Sequence, residues 1–503
     1  MDKPIIFANE INPSTASRRV AAHTLRRVER GIYTTELDGD LGDVVRRHWR
    51  IIAGRQFAGA VITGRSALTG GPVDGVLYLV APAQRRRTVR YPGLQVVINP
   101  GAGPVGGDLA YPDGLFQASI ARAIVENAQP SRRSANTAPW TLTDDELQTW
   151  LDRLCQRYGE DKLAECRTAF EQLAPQLDVA PAHVARASEL IGAILGSRTI
   201  TPTSKSLTAR LAGAPYDPDR INLFRILIDA LHDAAPQVRP AQPASTTAAF
   251  FEAYFSNFIE GTEFTLDEAH TIIDTMTPPD ARPADGHDLL GTFKIVADND
   301  EMSTIADTAT EFVELMTRRH AVVMEGRPEM NPGTFKQTGN QAGATIFVAS
   351  ELVDGTLGEG FNGFAELASP WQRAVYAMFI VAETHPFNDG NGRLARITMN
   401  TYLTAGHESR IIIPTVLRSD YLTALRQLSR VRLPGVLLDV LRFAQDYTSR
   451  IDFSSVELAT HTLTTTNAFE DADEGHRIKM PVIGLAPRTS AGSVAPSVAP
   501  FSR

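Results

Sequence analysis

The spacing of apolar positions divides the chain into a mixed first section and a long helical remainder. In PSTASRRVAAHTLRRVERGIYTT, Ser and Thr cap candidates precede an imperfect helical stripe of Val20, Leu25, Val28 and Ile32, with Gly31 near its end. That spacing predicts one helix over most of the segment. GAVITG, VLYLVAP and LQVVINP follow as short β-rich runs and predict strands. Residues 129–139, QPSRRSANTAP, are polar with Pro near both ends and read as a linker. From Thr141 to about Leu231 the pattern is helical, as in DDELQTWLDRLCQRYG, and a Pro-rich break, PQVRPAQPAS at 236–245, ends it. Residues 246–450 are mostly helical again, interrupted by a Gly-rich stretch at 331–363. From Pro487 the tail PRTSAGSVAPSVAPFSR lacks the apolar periodicity to offset its ordering entropy and is expected to be disordered. The fold class this predicts is mainly α with a small β-hairpin, preceded by a smaller α/β domain. The expected divisions are residues 1–135, a helical connector 136–240, a helical domain 246–450, and a tail 487–503.

Composition places few limits on this picture. An apolar share of 43% and a charged share of 21% are ordinary for a globular chain of 503 residues. The two cysteines, Cys155 and Cys166, match no metal-site spacing and are too few for a disulfide framework, which fits a reducing, cytoplasmic setting. MDKPIIFANEINPS has neither the basic start nor the apolar core of a secretory signal, and no apolar run approaches the roughly 18 residues of a membrane span. Charge is unevenly spread: residues 1–135 hold 18 Lys/Arg against 11 Asp/Glu, on a chain whose net charge is -9. A basic start on an acidic protein suits a polyanion partner, although on charge alone a solvated basic surface is the commoner reading.

One stretch concentrates reactive residue types: His385-Pro386-Phe387-Asn388-Asp389-Gly390-Asn391-Gly392-Arg393-Leu394-Ala395-Arg396. A turn with Gly390 and Gly392 lets backbone N–H groups approach an anion, and it opens the predicted helix RLARITMNTYLTAG. Arg393 and Arg396 add charge-assisted donors for phosphate oxygens. Asp389 is a hard oxygen ligand suited to Mg²⁺. His385 is the side chain that takes a proton near neutral pH. Base, metal ligand, anion cradle and two arginines together describe phosphoryl or nucleotidyl transfer. A lone GNG would read as a polar loop capping a helix; here each required type stands in one short run.

The run resembles the Fic family signature, HPFx(D/E)GNGRxxR, at all of its fixed positions. WQRAVYAMFIVAET resembles the family's preceding helix. Asn400, Leu403 and Gly406 match its downstream N-x-x-L-x-x-G, and Tyr421 stands where a tyrosine is frequent. The resemblance covers roughly residues 246–450 and implies a Fic-fold helical domain that transfers AMP from ATP to a protein Ser, Thr or Tyr hydroxyl. It implies His385 as the base, Asp389 as the Mg²⁺ ligand and Gly390, Asn391 and Gly392 as the cradle. Arg393 would steady the phosphates and Arg396 would hold the γ-phosphate, while Pro386 and Phe387 fix the loop. Doc-type kinase relatives have Lys where Gly392 stands, so phosphoryl transfer is not expected. NPGTFKQTGNQAGATIFV, residues 331–348, resembles the family's flap, a hairpin that aligns the target, with Lys336 where many members have Arg.

Upstream, FFEAYFSNFIEGTEFTLDEAHTII predicts a helix with Phe251, Tyr254, Phe255 and Phe258 on a broad apolar face. Ser256 and Glu260 share one face, Gly261 ends the helix, and Thr265 with Glu268 forms a capping box for the next. SNFIEG resembles the inhibitory pattern (S/T)xxxE(G/N) of Fic proteins. The resemblance implies that Glu260, on a helix near 247–261, pairs with Arg396 through a bidentate contact and restrains transfer. Removal of AMP from a modified protein is the alternative activity. Residues 10–130 resemble, more loosely, AbiEi-type antitoxins and regulators, with a winged-helix-like element before a small α/β domain. There Arg18, Arg19, Arg26 and Arg27 would face DNA phosphates if their helix entered a groove. A DNA-binding regulator with a regulatory Fic domain is thus a third reading, and self-association is left open.

Overall fold

The computed structural model describes residues 3–82, 85–131, 138–234 and 238–481. They belong to two compact units, Met1–Gly213 and Ala214–Arg503, and form 21 α-helices among the described residues, so the fold is mainly α with small sheets.

In the first unit, β1 (Ile5–Phe7) precedes α1 (Pro13–Ala21), and β2 (Arg26–Glu29) with β3 (Ile32–Thr34) completes a sheet ordered β1-β3-β2. The single helix expected across this segment is therefore cut short. The chain reverses at His23 (φ 52°) and again at Gly31 (φ 80°), and Val28 and Ile32 bury themselves across a hairpin instead of along a helix. Arg18 and Arg19 lie in the last turn of α1, whereas Arg26 and Arg27 lie on β2, so the four share no helix face.

A six-stranded sheet follows in the order β6-β7-β5-β4-β9-β8. Its strands are β4 (Val61–Ile62), β5 (Val76–Ala81), β6 (Arg87–Tyr91), β7 (Leu94–Pro100), β8 (Leu109–Ala110) and β9 (Phe116–Gln117), and the three expected β runs supply β4, β5 and β7. Helices α2 (Leu41–Arg47), α3 (Trp49–Gln56), α4 (Gly64–Thr69) and α5 (Ile120–Asn127) accompany it. A bundle of α6 (Asp144–Tyr158), α7 (Glu160–Leu173), α8 (Pro181–Ile194) and α9 (Lys205–Leu211) completes the unit. Cys155 and Cys166 are buried free thiols in its core. Of the expected linker 129–139, residues 132–137 lie outside the described residues.

The second unit begins with α10 (Pro218–Asp233). Residues 235–237 of the expected break lie outside the described residues. From 238 to 245 the chain is a strap held by Ala241 N–H to the His407 carbonyl (3.0 Å) and by Gln242 to the Ser449 and Ile451 carbonyls. Then come α11 (Thr246–Ile259), α12 (Leu266–Thr275), α13 (Pro283–Ala297), α14 (Asn299–Ser303) and α15 (Ala309–Val323). A two-residue hairpin, β10 (Gln341–Ala342) with β11 (Thr345–Ile346), leads to α16 (Val353–Phe361), α17 (Pro370–Thr384) and α18 (Asn391–Ala405). The described fold ends with α19 (Arg418–Val431), α20 (Gly435–Ser449) and α21 (Val456–Thr465). The tail 487–503 lies outside the described residues.

The Gly-rich interruption expected over 331–363 stops short of α16. Gly355 there packs against the Pro215 carbonyl, and Gly360 packs against the Phe224 ring, so these glycines allow close helix approach and do not break the helix. At the centre lies α17. Its residues Ala374, Val375, Ala377, Met378, Phe379, Ile380 and Val381 are all 0% exposed, which marks a helix buried on every side. Ser369 and Gln372 form its capping box, and Pro370 at its first position needs no N–H partner. The rigid pair α17–α18 carries the signature loop between its two members.

Candidate active site

His385 ends α17 in the left-handed conformation (φ 52°), a backbone state that disfavours a residue with a Cβ and is maintained by its surroundings. The turn then closes at Gly390 (φ 74°), where a Cβ would stand 2.6 Å from the Met324 sulfur. Between them, the Asn391 carboxamide accepts from Phe387 N–H and donates to the Phe387 carbonyl, both at 2.9 Å. This side chain pins the loop. Phe387 is fully buried and stacks on His320 at 3.7 Å. His320 Nδ1 accepts from Gly333 N–H (2.9 Å), so its Nε2–H donates to the Asp389 carbonyl (3.0 Å). Burial holds this imidazole near pKa 4, with the Asp389 carbonyl opposing. Its neutral form therefore ties the 331–333 segment to the signature loop.

Lys336 is 1% exposed beneath the same loop. Its ammonium donates to the Asn340 side chain (2.6 Å) and the His385 carbonyl (2.7 Å), and burial lowers its pKa to about 8. Asn340 in turn donates to the Phe387 carbonyl (3.0 Å). The flap-like segment is thus bound to the loop, and its hairpin turns at Gly343 (φ 58°).

The His385 ring stacks flat on Phe347 at 3.8 Å. Burial lowers its pKa to about 4, opposed by the Ala382 carbonyl and assisted by the charge of Lys336. Its Nδ1 lies 3.3 Å from that carbonyl, so the proton belongs on Nδ1 and Nε2 carries the free lone pair. Such a ring is unprotonated at neutral pH and ready to accept a proton. Asp389 keeps a half-exposed carboxylate, with one oxygen fixed by Gly390 N–H at 2.7 Å. Among the described residues no group of three His, Cys, Asp or Glu gathers as a metal cage. A single aspartate is nonetheless what Mg²⁺ uses when phosphate oxygens and water complete its shell, so the donor set fits that ion.

Arg396 is nearly buried and meets Ser256 and Glu260 of the upstream motif through three hydrogen bonds. Its Nε donates to the Ser256 hydroxyl (2.9 Å), and its Nη2 donates to the Ser256 carbonyl and to Glu260 Oε1, both at 2.7 Å. The expected bidentate pair is therefore a single contact, because Ser256 already takes Nε and shares Nη2. The two partners sit one helical turn apart, since α11 runs to Ile259 with Glu260 as its cap and Gly261 (φ 91°) turns the chain away. The Glu260 carboxylate lies over Gly392: a Cβ there would collide with it, at 2.8 Å from its carboxyl carbon. A carboxylate thus occupies the anion-attracting start of α18.

Arg393 is 2% exposed and is held from the other side. Its Nη1 pairs with Asp288 Oδ2 on α13 at 2.6 Å, and that same oxygen accepts from Arg327 Nε at 2.9 Å. Asp389 Oδ2 stands 3.8 Å from Arg393 Nη2. Downstream, the Asn400 amide bridges Glu252 on α11 to both backbone groups of Ile411, Leu403 is buried, and Gly406 packs beneath Pro370. Around these groups opens a cleft of about 560 Å³ whose walls include Glu260, His385, Gly392, Arg396 and Tyr421.

The sequence pattern brought His385, Asp389, Gly392, Arg396 and Glu260 to one place. It gave no signal for Asp288 or His320, which are ordinary residues on other helices, and it marked the 331–348 segment without picking out Asn340 or Phe347 within it. In comparisons with known proteins, residues 312–403 match the Fic/DOC family. The protein adenylyltransferase Fic of Drosophila persimilis is 26% identical over 236 residues, 45% of this chain and 44% of that protein. That of Nematostella vectensis is 26% identical over 243 residues, 46% of this chain and 53% of its own length. The match thus spans about half the length of these curated relatives. Among solved structures, Fic-1 from C. elegans is similar with a TM-score of 0.34 and 18% identity, covering 65% of this chain and 90% of that one. A Fic domain containing signaling protein from Bacteroides thetaiotaomicron has a TM-score of 0.34 at 17% identity, covering 48% of this chain and 97% of that one. The signature loop, the helices on either side of it and the matched span coincide: the chain carries a Fic/DOC-family domain over residues 312–403.

Proposed function

We propose that this chain transfers the AMP part of ATP to a hydroxyl group of a protein, and that Glu260 restrains the reaction. His385 Nε2 takes the proton of the acceptor hydroxyl as its oxygen bonds to the α-phosphorus. The bond from that phosphorus to the bridging oxygen breaks, and pyrophosphate leaves with the electron pair. The imidazolium then passes its proton to solvent. The N-terminus of α18 and Arg396 face the charge that builds on the phosphates. Asp389 is the residue that would hold Mg²⁺, which supplies neutralisation of phosphate charge.

The observation that carries this reading is the join of a neutral, half-buried His385 to a helix N-terminus and a signature arginine in one cleft. Glu260 in that cradle supports restraint, because a carboxylate bonded to Arg396 removes a donor that a phosphate needs. A second reading, hydrolytic removal of AMP, draws support from the same placement, since Glu260 lines the cleft with His385 and could orient a water. ATP labelled at the α-phosphate against ATP labelled at the γ-phosphate tests the reaction class. Protein-bound label from the α position alone is expected, and label from the γ position alone would overturn AMP transfer. Release of label from a protein already carrying AMP, without pyrophosphate, would favour the second reading.

A further inference from the structure

The outer wall of the cleft is α19, which turns Tyr421, Leu422, Leu425, Arg426, Ser429 and Arg430 toward it. Arg426 and Arg430 are both exposed and stand four residues apart, so two like charges sit on neighbouring turns of one face, an unfavourable arrangement on an isolated helix. Among the described residues no carboxylate relieves either of them. Arg430 donates to the Thr345 hydroxyl on β11 (2.8 Å), and its guanidinium borders the hairpin turn at Gly343. Arg426 has no hydrogen-bond or ion-pair partner among the described residues. The acids of the same cleft are already engaged, Glu260 by Arg396 and Glu383 by Arg220. The cleft therefore has a neutralised inner end and an uncompensated cationic mouth.

These arginines are displaced from the phosphate cradle. Tyr421 lies at the Arg396 and Glu260 end, since both charges act on its hydroxyl. At about 1.5 Å of rise per residue, Arg426 is roughly 7.5 Å and Arg430 roughly 13.5 Å further along the axis, toward the hairpin. Exposed apolar side chains lie beside these elements in the chain, outside the cleft lining: Ile346 on β11, and Val431 and Leu433 just past Arg430, are 70%, 60% and 56% exposed. A partner that crosses the mouth and extends past it meets two cations first and these apolar side chains beyond them.

We propose that Arg426 and Arg430 are specificity residues that read acidic side chains beside the acceptor hydroxyl of the target, so that the substrate class is an acidic, apolar-flanked protein segment lying between the hairpin and α19. This rests on the AMP-transfer reading of the site. A binding assay separates the two. Two fluorescent peptides of about twelve residues share a central serine and apolar ends and differ only in Asp/Glu or Lys flanks. Their anisotropy is followed with the full-length His385→Ala protein and ATP, so no chemistry enters the readout. The acidic peptide is expected to bind about tenfold tighter, and Arg426→Glu with Arg430→Glu to abolish or invert that ratio. Arg426→Lys with Arg430→Lys should retain most of it, and ATP affinity should stay the same in both variants. Equal binding of the two peptides, or a preference that survives charge reversal, would overturn the proposal. So would a loss of ATP affinity in the charge-reversed protein, because it would place these arginines on the nucleotide. Failure of AMP transfer alone would leave the peptide preference standing.

Discussion

Asp288 offers a quantitative test of how the signature arginines are held. One of its oxygens accepts from Arg393 at 2.6 Å and from Arg327 at 2.9 Å. Asp288→Ala affects the two arginines unequally. Arg327 is 23% exposed and keeps Asp285 at 2.8 Å, so water and a second carboxylate compensate it. The Arg393 side chain is 3% exposed and keeps Asp389 at 3.8 Å, a long contact to Asn257 at 3.5 Å and the weakly accepting Met324 sulfur at 3.3 Å. Breaking a buried pair by removing one partner costs about 3–5 kcal/mol, and Arg393 should carry most of that. Replacing both members, Asp288→Ala with Arg393→Met, removes the stranded charge and should recover about 2 kcal/mol or more. Hydrogen exchange of amides in α13 and α18 reads the opening free energy of this region without requiring the whole chain to unfold in one step. A single substitution that changes it by less than about 0.5 kcal/mol, or a double variant no more protected than the single, would refute the reasoning.

Three further outcomes follow from the loop. His320 and His385 are both held near 4 by burial, below the ordinary 6.5, so the unfolded chain binds protons more readily than the native one as pH falls. Their contribution to stability is whole above about 6.5 and declines toward 4, by about 2 kcal/mol each at pH 5; the urea midpoint should fall from pH 7 to pH 5, and His320→Gln should reduce that dependence. Gly390→Ala places a Cβ at a φ of 74° and 2.6 Å from the Met324 sulfur, so it should lose the roughly 1–2 kcal/mol of a left-handed residue plus the clash; an unchanged urea midpoint would contradict this. Lys336→Met removes a cation that assists the low pKa of His385, so the imidazole titration followed by NMR should move up from about 4, and an unmoved titration would separate the two groups.

The candidate site was legible because its members are consecutive or one helical turn apart. His385 to Arg396 spans one loop and the start of one helix, and Ser256 with Glu260 is an i, i+4 pair. Nothing local announced what fixes them. Asp288 and His320 come from helices about 105 and 65 positions upstream of the residues they hold (Arg393 and the His385 loop), where each reads as an ordinary surface or core residue. The helix expected through Gly31 failed because Leu25, Val28 and Ile32 are spaced three and four apart, a pattern that a tight hairpin satisfied by burying Val28 and Ile32 from facing strands. In α16 the glycines misled in the opposite direction. Their role is contact with Pro215 and Phe224, which only the packing of distant segments reveals.

The central claim, AMP transfer by His385 under restraint by Glu260, is tested most directly by one labelling experiment. ATP carrying label at its α-phosphate is incubated with Mg²⁺ and a lysate offering targets, using the parent protein, Glu260→Gly, and Glu260→Gly with His385→Ala. The account requires more protein-bound label with Glu260→Gly than with the parent, and none above background when His385 is also replaced. Equal labelling by the parent and Glu260→Gly would contradict the restraint, and labelling that persists without His385 would contradict the chemistry.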